Sequence, residues 1–417
     1  MRVPVILIII SYVSILLMDW YIWNDFKIFS LRKWFRVERK RKSRWSVAFA
    51  VFSILVLALF TVAICIPHRN QDQDLQAKMW LLYSFMTVFF SLLIYLICSI
   101  LGFISRWVGK PRCNTGLWIG LPLAVLTFLM MWWGALVGRK QIEVNNVEIV
   151  SPKIPESFDG YRIVQFSDLH VGTWGTDTTF VSNLVDSINS QRPDLIVFTG
   201  DIANRKSDEV RPFVATLSRL KAKDGVFAVL GNHDYGDYIV WKSPEEKIEN
   251  MRELKEYYSS MGWKLLNNNR SFIVNEKGDS VVLIGVENWG EPPFRQYGVM
   301  EKAYPLSPDS AYNVNDSRFK ILLSHNPEHW NRKISKTTNI DLTLSGHTHA
   351  MQIMFSVGPF RWSPSGYKYE QWGGLYERES ERGEKLRLYV NIGSGEVGLP
   401  MRIGATPEIT TFILRHD

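Results

Sequence analysis

The sequence predicts a layered α/β domain preceded by an all-α transmembrane domain of four helices. Three observations carry this. The apolar residues of the 417-residue chain concentrate in long runs before residue 138. After that, short runs rich in branched residues alternate with segments of helical spacing. Several of those short runs stop at Asp, Asn or His. The expected division is a membrane domain over 1–140, a connector over 141–160 with two prolines, and the layered domain over 161–417.

Four apolar stretches form the first part: Val3–Met18, Ser46–Ile66, Trp80–Ile104 and Leu117–Val137. A spanning helix needs about 20 apolar residues, and the last three meet this. The first is shorter and closes at Asp19. It lacks a small-residue cleavage site and three spans follow, so a retained span is expected. Lys27, Arg32, Lys33, Arg36, Arg39, Lys40, Arg41, Lys42 and Arg44 crowd the first loop, and Arg106, Lys110 and Arg112 the third. The second loop has only Arg69 and Lys78, offset by Asp72 and Asp74. The basic loops are expected in the cytoplasm. That makes the chain a multi-pass protein of the cell (inner) membrane with its second part extracytoplasmic. Arg139 and Lys140 pull weakly the other way. The basic loop reads as a topology determinant or as a site for anionic headgroups.

Residues 1–146 hold 17 Lys and Arg against 6 Asp and Glu, a net +11; residues 147–417 carry a net −4. The basic balance therefore belongs to the membrane part, and no nucleic-acid partner is expected. Cys65, Cys98 and Cys113 all lie in that part, so there is neither a disulfide framework nor a zinc-cysteine spacing. The apolar stretches lack polar residues suited to transport.

In the second part, strands are expected at Arg162–Phe166, Leu195–Thr199, Val226–Leu230, Val281–Val286, Lys320–Leu323, Leu342–Leu344, Leu388–Ile392 and Ile409–Leu414. Helical spacing runs through Phe180, Leu184, Val185 and Ile188, and Val210–Leu220 reads as a further helix. Ser243 followed by Pro244 and Glu246 starts another, with Ile248, Met251, Leu254 and Tyr258 on one face.

The strand ends supply the chemistry. Asp168, His170, Asp201, Asn232, His233, His325, His347 and His349 each follow an apolar run, using five of the eight histidines. His68, His329 and His416 lack that context. Carboxylate, imidazole and amide donors suit manganese, iron, zinc or cobalt. Asp168 and His170 are two apart, as are His347 and His349, and alternation along a strand would turn each pair to one side. So many donors exceed one tetrahedral ion. Two divalent metal ions sharing a bridging ligand, about 3.5–4 Å apart, account for them.

The ordered set Asp168-x-His170, Gly200-Asp201, Gly231-Asn232-His233-Asp234, His325 and Gly346-His347-x-His349 resembles the calcineurin-like metallophosphoesterase superfamily. Leu388-Tyr389-Val390 through Gly395, with Leu399-Pro400-Met401-Arg402 and Pro407-Glu408-Ile409, resembles its membrane-anchored bacterial branch. The resemblance implies a four-layer αββα sandwich with two sheets face to face. It assigns one metal to Asp168, His170 and His349, and the other to Asn232, His325 and His347, with Asp201 bridging. It makes His233 the phosphate contact and acid, with Asp234 orienting its ring, and a metal-bridged hydroxide the nucleophile. The chain departs from the family where an acid often follows the Gly-Asp aspartate by three residues, since Asn204 stands there. Ala350 and Met351 stand where relatives often have two glycines.

Residues 351–376 are rich in aromatics: Phe355, Phe360, Trp362, Tyr367, Tyr369, Trp372 and Tyr376. They read either as a strand pair packed on the sheet or as an interfacial patch. With the spans, the second reading gives a phosphorylated, lipid-linked or envelope substrate beside a lipid bilayer. The expected activity is hydrolysis of phosphoester or pyrophosphate bonds. The alternative is a membrane sensor or scaffold whose metal domain binds a phosphorylated ligand without cleaving it.

Overall fold

The computed structural model describes residues 5–26, 39–65, 74–107, 109, 112–290, 292, 295–304, 316–380 and 383–417. Contacts divide the chain into two compact units. One comprises Met1–His68 with Ala77–Ala135, the other Arg69–Gln76 with Leu136–Asp417. The basic residues from Lys27 to Arg36 lie outside the described residues, as do Arg69, Asp72, Lys110 and His68.

The first unit is a helical bundle. Its long helices are Val5–Phe26, Arg39–Cys65, Leu75–Leu101 and Leu121–Leu136, the last entered through a turn of π-helix at Gly116–Gly120. Among the described residues, three stretches are long and apolar enough to cross a membrane: Arg44–Cys65, Leu75–Leu101 and Gly116–Lys140. The first helix does not stop at Asp19 as expected. Asp19 is buried inside the bundle, and the helix runs on to Phe26. Asp25 near its end pairs with Arg112 at 2.6 Å and accepts hydrogen bonds from the hydroxyls of Tyr95 and Ser99. This bonded cluster holds the end of the first helix beside the segment entering the last. All three cysteines are free.

Among the described residues the second unit contains fourteen strands: β1 (Glu143–Ser151), β2 (Arg162–Phe166), β3 (Leu195–Phe198), β4 (Val226–Ala228), β5 (Trp263–Leu265), β6 (Asn269–Val274), β7 (Ser280–Gly285), β8 (Lys320–Leu323), β9 (Leu342–Ser345), β10 (Phe355–Val357), β11 (Phe360–Trp362), β12 (Gly374–Glu379), β13 (Lys385–Val390) and β14 (Glu408–His416). They make one six-stranded sheet in the order β1-β14-β2-β3-β4-β5, another in the order β12-β13-β9-β8-β7-β6, and the separate pair β10-β11.

Alternation along the strands gives each sheet two apolar faces. In β3, Ile196 and Phe198 turn outward toward Leu184 and Leu254 on the helices Thr179–Ser190 and Pro244–Ser260. Leu195 and Val197 turn inward, where they share a core with Leu283, Ile321 and Leu344 of the second sheet. That sheet's outer face, with Val282, Leu322 and Leu388, packs against Met300, Trp330 and Ile334. The layers are therefore helices, sheet, sheet and helical segments.

Three expectations need correcting. The stretch 141–160 is more than a connector, because β1 pairs parallel with β14 over nine residues. Val210–Leu220 is not one helix but a 3-10 turn at Arg211–Phe213 and a single α-turn at Val214–Leu217, a stretch too short and too rich in β-branched residues to sustain more. On the helix from Pro244, Leu254 and Tyr258 are buried as expected, but Ile248 is exposed. Its start is as read: the Ser243 hydroxyl caps the Glu246 amide.

The two sheets meet where Phe412 of β14 stands edge-on to Tyr389 of β13 at 5.1 Å, with Phe412 fully buried. Phe412→Ala is expected to destabilise the second unit by about 3–5 kcal/mol. The check is the unfolding midpoint of the solubilised protein, which should fall markedly.

Candidate metal centre

Strands β2, β3 and β4 run parallel in the first sheet, and β8 and β9 run parallel in the second. The loops after their carboxyl ends converge, where α/β sheets place ligand sites. Asp168 and His170 follow β2, Asp201 follows β3, Asn232 and His233 follow β4, His325 follows β8, and His347 and His349 follow β9. Six of the seven sequence-predicted ligands meet there in two adjoining groups, with the seventh, Asn232, beside His325. Asp168, His170 and His349 form one; Asp201, His325 and His347 form the other. Within each group the ligand atoms lie within 4.8 Å of one another.

The local geometry is not the strand alternation that the two-residue spacing suggested. The strands have already ended, and Asp168, His170, Asp201, His347 and His349 all have positive φ, between 44° and 76°. Such left-handed residues are costly when they are not glycine and gather at functional sites. Here they turn successive side chains inward. Glycines admit the loops to one another. A Cβ on Gly231 would lie 2.2 Å from Asp201 Oδ1, and one on Gly346 2.2 Å from Asp168 Oδ2.

The hydrogen bonds fix which atoms face the centre. The His170 Nδ1–H donates to the Ala203 carbonyl at 3.1 Å, and the His325 Nδ1–H to the Thr199 carbonyl at 2.8 Å. Both Nε2 atoms are thereby turned toward the centre. His170 Nε2 lies 3.1 Å from His349 Nε2, which lies 3.2 Å from Asp168 Oδ1. His325 Nε2 lies 3.1 Å from Asn232 Oδ1, 3.2 Å from Asp201 Oδ2 and 3.2 Å from His347 Nδ1. Asp201 Oδ2 is also 3.7 Å from His170 Nε2, so this one oxygen adjoins both groups. Asn232 turns its oxygen inward because its amide N–H donates to the Tyr238 hydroxyl at 2.7 Å. Nitrogen and oxygen donors crowd together around one small space. Divalent cations fit this donor set.

Burial and charge act together on the titrating groups. Burial holds His170 well below its usual range, with nearby His233 adding to the effect. Burial likewise takes His347 down to about 3, aided by His325. Burial opposes charge on His325 too, yet Asp201 and Asp168 carry it up to about 9. Asp201 stays well below the carboxylate range despite burial, through His325 and His233.

Two corrections concern the predicted catalytic pair. Asp234 does not orient the His233 ring. Its carboxylate accepts the backbone N–H groups of Gly231, Asp201, Ile202 and Ala203, and burial followed by the Asp201 charge lifts it to about 7. The His233 ring is instead held by its Nδ1–H donating to the Asn204 carbonyl at 2.7 Å and by stacking on Tyr238 at 4.2 Å. That leaves Nε2 to face a ligand. Asn204 therefore serves through its backbone. Its own N–H donates to Glu209, a buried acid on the same loop. Sequence reasoning also missed Tyr238 and Tyr369, whose hydroxyl bonds His347 Nε2 at 2.9 Å. Arg402, offered by the sequence only as part of the branch's motif, is fully buried and lies 3.3 Å from His349 Nδ1. Tyr238 stands six residues after Asn232, and an aromatic at that spacing was the available signal. The Ala350-Met351 departure is accommodated by left-handed backbone, φ 49° and 46°, which costs about 1–2 kcal/mol at each residue.

Residues 161–351 match a family model described as Calcineurin-like phosphoesterase, and residues 1–139 one described as Probable Calcineurin-like phosphoesterase, transmembrane domain. The uncharacterized metallophosphoesterase YkuE of Bacillus subtilis is 32% identical over 283 residues, covering 66% of this chain and 86% of its own length. A transmembrane protein with metallophosphoesterase domain from Danio rerio is 30% identical over 70% of this chain and 62% of its own. The UDP-2,3-diacylglucosamine pyrophosphatase LpxG of Chlamydia muridarum is 27% identical over 66% of this chain and 91% of its own.

Two outcomes are expected from this geometry. Gly346→Ala should displace Asp168 and lower metal content in elemental analysis, with the fold kept. In the metal-free protein His325 holds a proton below about pH 9, which a cation must expel. Metal binding at pH 7 should therefore release protons, read as a buffer-dependent heat in calorimetry, and affinity should rise with pH toward 9.

Proposed function

The chain belongs to the calcineurin-like phosphoesterase family and is a membrane-associated, metal-dependent hydrolase of phosphoester bonds; we propose that it works through two divalent cations on a phosphorylated substrate presented by the lipid bilayer. One observation carries this reading: Asp201 Oδ2 adjoins two separate donor sets. Asp168, His170 and His349 would hold one ion and Asn232, His325 and His347 the other, with Asp201 available to both. When bound, the ions would supply Lewis acidity and lower the pKa of water at the centre.

The remaining steps fall to the chain's own residues. The carbonyls of Ala203 and Thr199 keep His170 and His325 in the ligating tautomer. Asp234 clamps the amides of the loops after β3 and β4, so that Asp201 and Asn232 keep their spacing. His233 presents Nε2 to the phosphate and gives a proton to the leaving oxygen, its ring fixed by Asn204 and Tyr238.

Membrane spans in the same chain favour a lipid-linked or envelope substrate, and the name of LpxG, a pyrophosphatase, points to the same chemistry. The excess of Lys and Arg in the first and third loops favours an inner-membrane protein with the phosphoesterase unit outside the cytoplasm. A tag at Asp417 that external protease cannot reach would overturn that orientation. The experiment for the activity is turnover of a generic phosphodiester by the purified chain with manganese, beside Asp201→Ala. Turnover that needs the metal and is lost in the variant supports the reading. Binding without turnover in the parent supports the sensor instead.

His233→Ala is expected to lower kcat about 10²–10⁴-fold while metal content stays near normal. Asn232→Ala should lower metal content itself. Elemental analysis beside kinetics separates the two.

A further inference from the structure

The ribbon of β10 and β11 takes no part in the metal centre. Among the described residues its strands pair only with each other. The register sets Phe355 opposite Trp362 and Val357 opposite Phe360, so these four side chains share one face. Ser356 and Arg361 share the other. Arg361 turns back to the phosphoesterase unit, over the Trp372 ring at 5.3 Å. The apolar face is open, with Val357 77% and Phe360 63% exposed. Tyr367 stands beside it, edge-on to Trp362 and 85% exposed. A two-stranded ribbon is marginal in water by itself, and this one offers its apolar face to solvent.

We propose that this face docks on the lipid bilayer that the chain's own helices span. The tether already confines the unit to the neighbourhood of a bilayer. The ribbon has the chemistry of the headgroup level: an apolar tip at Val357 and Phe360, then Trp362 and Tyr367, with the cations Arg361 and Lys368 behind. A second copy of the chain is a poorer occupant. A stable dimer buries about 800 Å² per partner, more than four partly exposed side chains provide.

The ribbon also grows out of the metal centre. It leaves the chain six residues after His349 and, beyond a short turn, returns to Tyr369, whose hydroxyl bonds His347 Nε2. Docking there brings phosphates at headgroup depth toward the two donor sets. This last step rests on the phosphoesterase reading; the docking does not.

The test uses the full chain in vesicles of phosphatidylcholine with and without phosphatidylglycerol, with its three cysteines replaced by alanine. A nitroxide is placed at Val357→Cys, at Phe360→Cys or, as a control, at Lys277→Cys on an exposed turn. The expected result is preferential relaxation by oxygen over a water-soluble nickel chelate at 357 and 360, with the reverse at 277. The double variant Val357→Asp with Phe360→Asp should cut turnover of a vesicle-embedded phosphoester about tenfold or more. Turnover of soluble bis-p-nitrophenyl phosphate should not change. Water-like relaxation at 357 and 360 overturns the docking. So does shielding that grows with the protein-to-lipid ratio, which marks a protein partner. Soluble turnover that persists in either case leaves the enzyme reading standing.

Discussion

Two buried carboxylates, Asp168 and Asp201, face imidazole nitrogens that are already fixed by bonds on their other side. Such a cluster is repulsive unless cations fill it. The rest of the second unit serves to hold it. Parallel strands bring five loop ends to one edge, left-handed residues turn the donors inward, and glycines let the loops touch. Asp234 spends both oxygens on backbone amides to keep two of those loops in register. The cluster explains why so many non-glycine residues accept positive φ in one place: the strain is local, and the surrounding sheet and glycine contacts determine it.

The layered fold and the residues that gather at the candidate metal centre were legible because each of those residues follows an apolar run, and burial on both faces of a sheet makes such runs continuous. β2 and β8 fall at the residues expected. What was not legible depends on distant pairing. β1 has few buried residues and forms only because β14 lies alongside. The roles of Asp234 and Asn204 could not be read either, since a carboxylate beside a histidine in sequence suggests a dyad. Here the chain turns so that the carboxylate faces amides and a carbonyl takes the imidazole proton.

The membrane unit shows the same difference between pattern and contact. Asp19 reads as the end of a span, yet a carboxylate buried in a bundle does not stop a helix. Arg112 counted as a loop charge, but it is bound to Asp25. Arg139, counted as a weak topology signal, is buried in the second unit against Glu396 at 2.6 Å and over the Trp174 ring at 4.0 Å. The aromatic segment 351–376 does contain a strand pair, but its apolar side faces outward rather than onto the sheet.

The central claim is that one carboxylate, Asp201, joins two cation sites. Manganese titration of the full chain, followed by electron paramagnetic resonance, addresses it most directly. Two ions per chain with a spin-coupled, multiline spectrum, replaced by uncoupled signal in Asp201→Asn, is the result this account predicts. A single ion per chain, or two with no coupling in the parent, would contradict it.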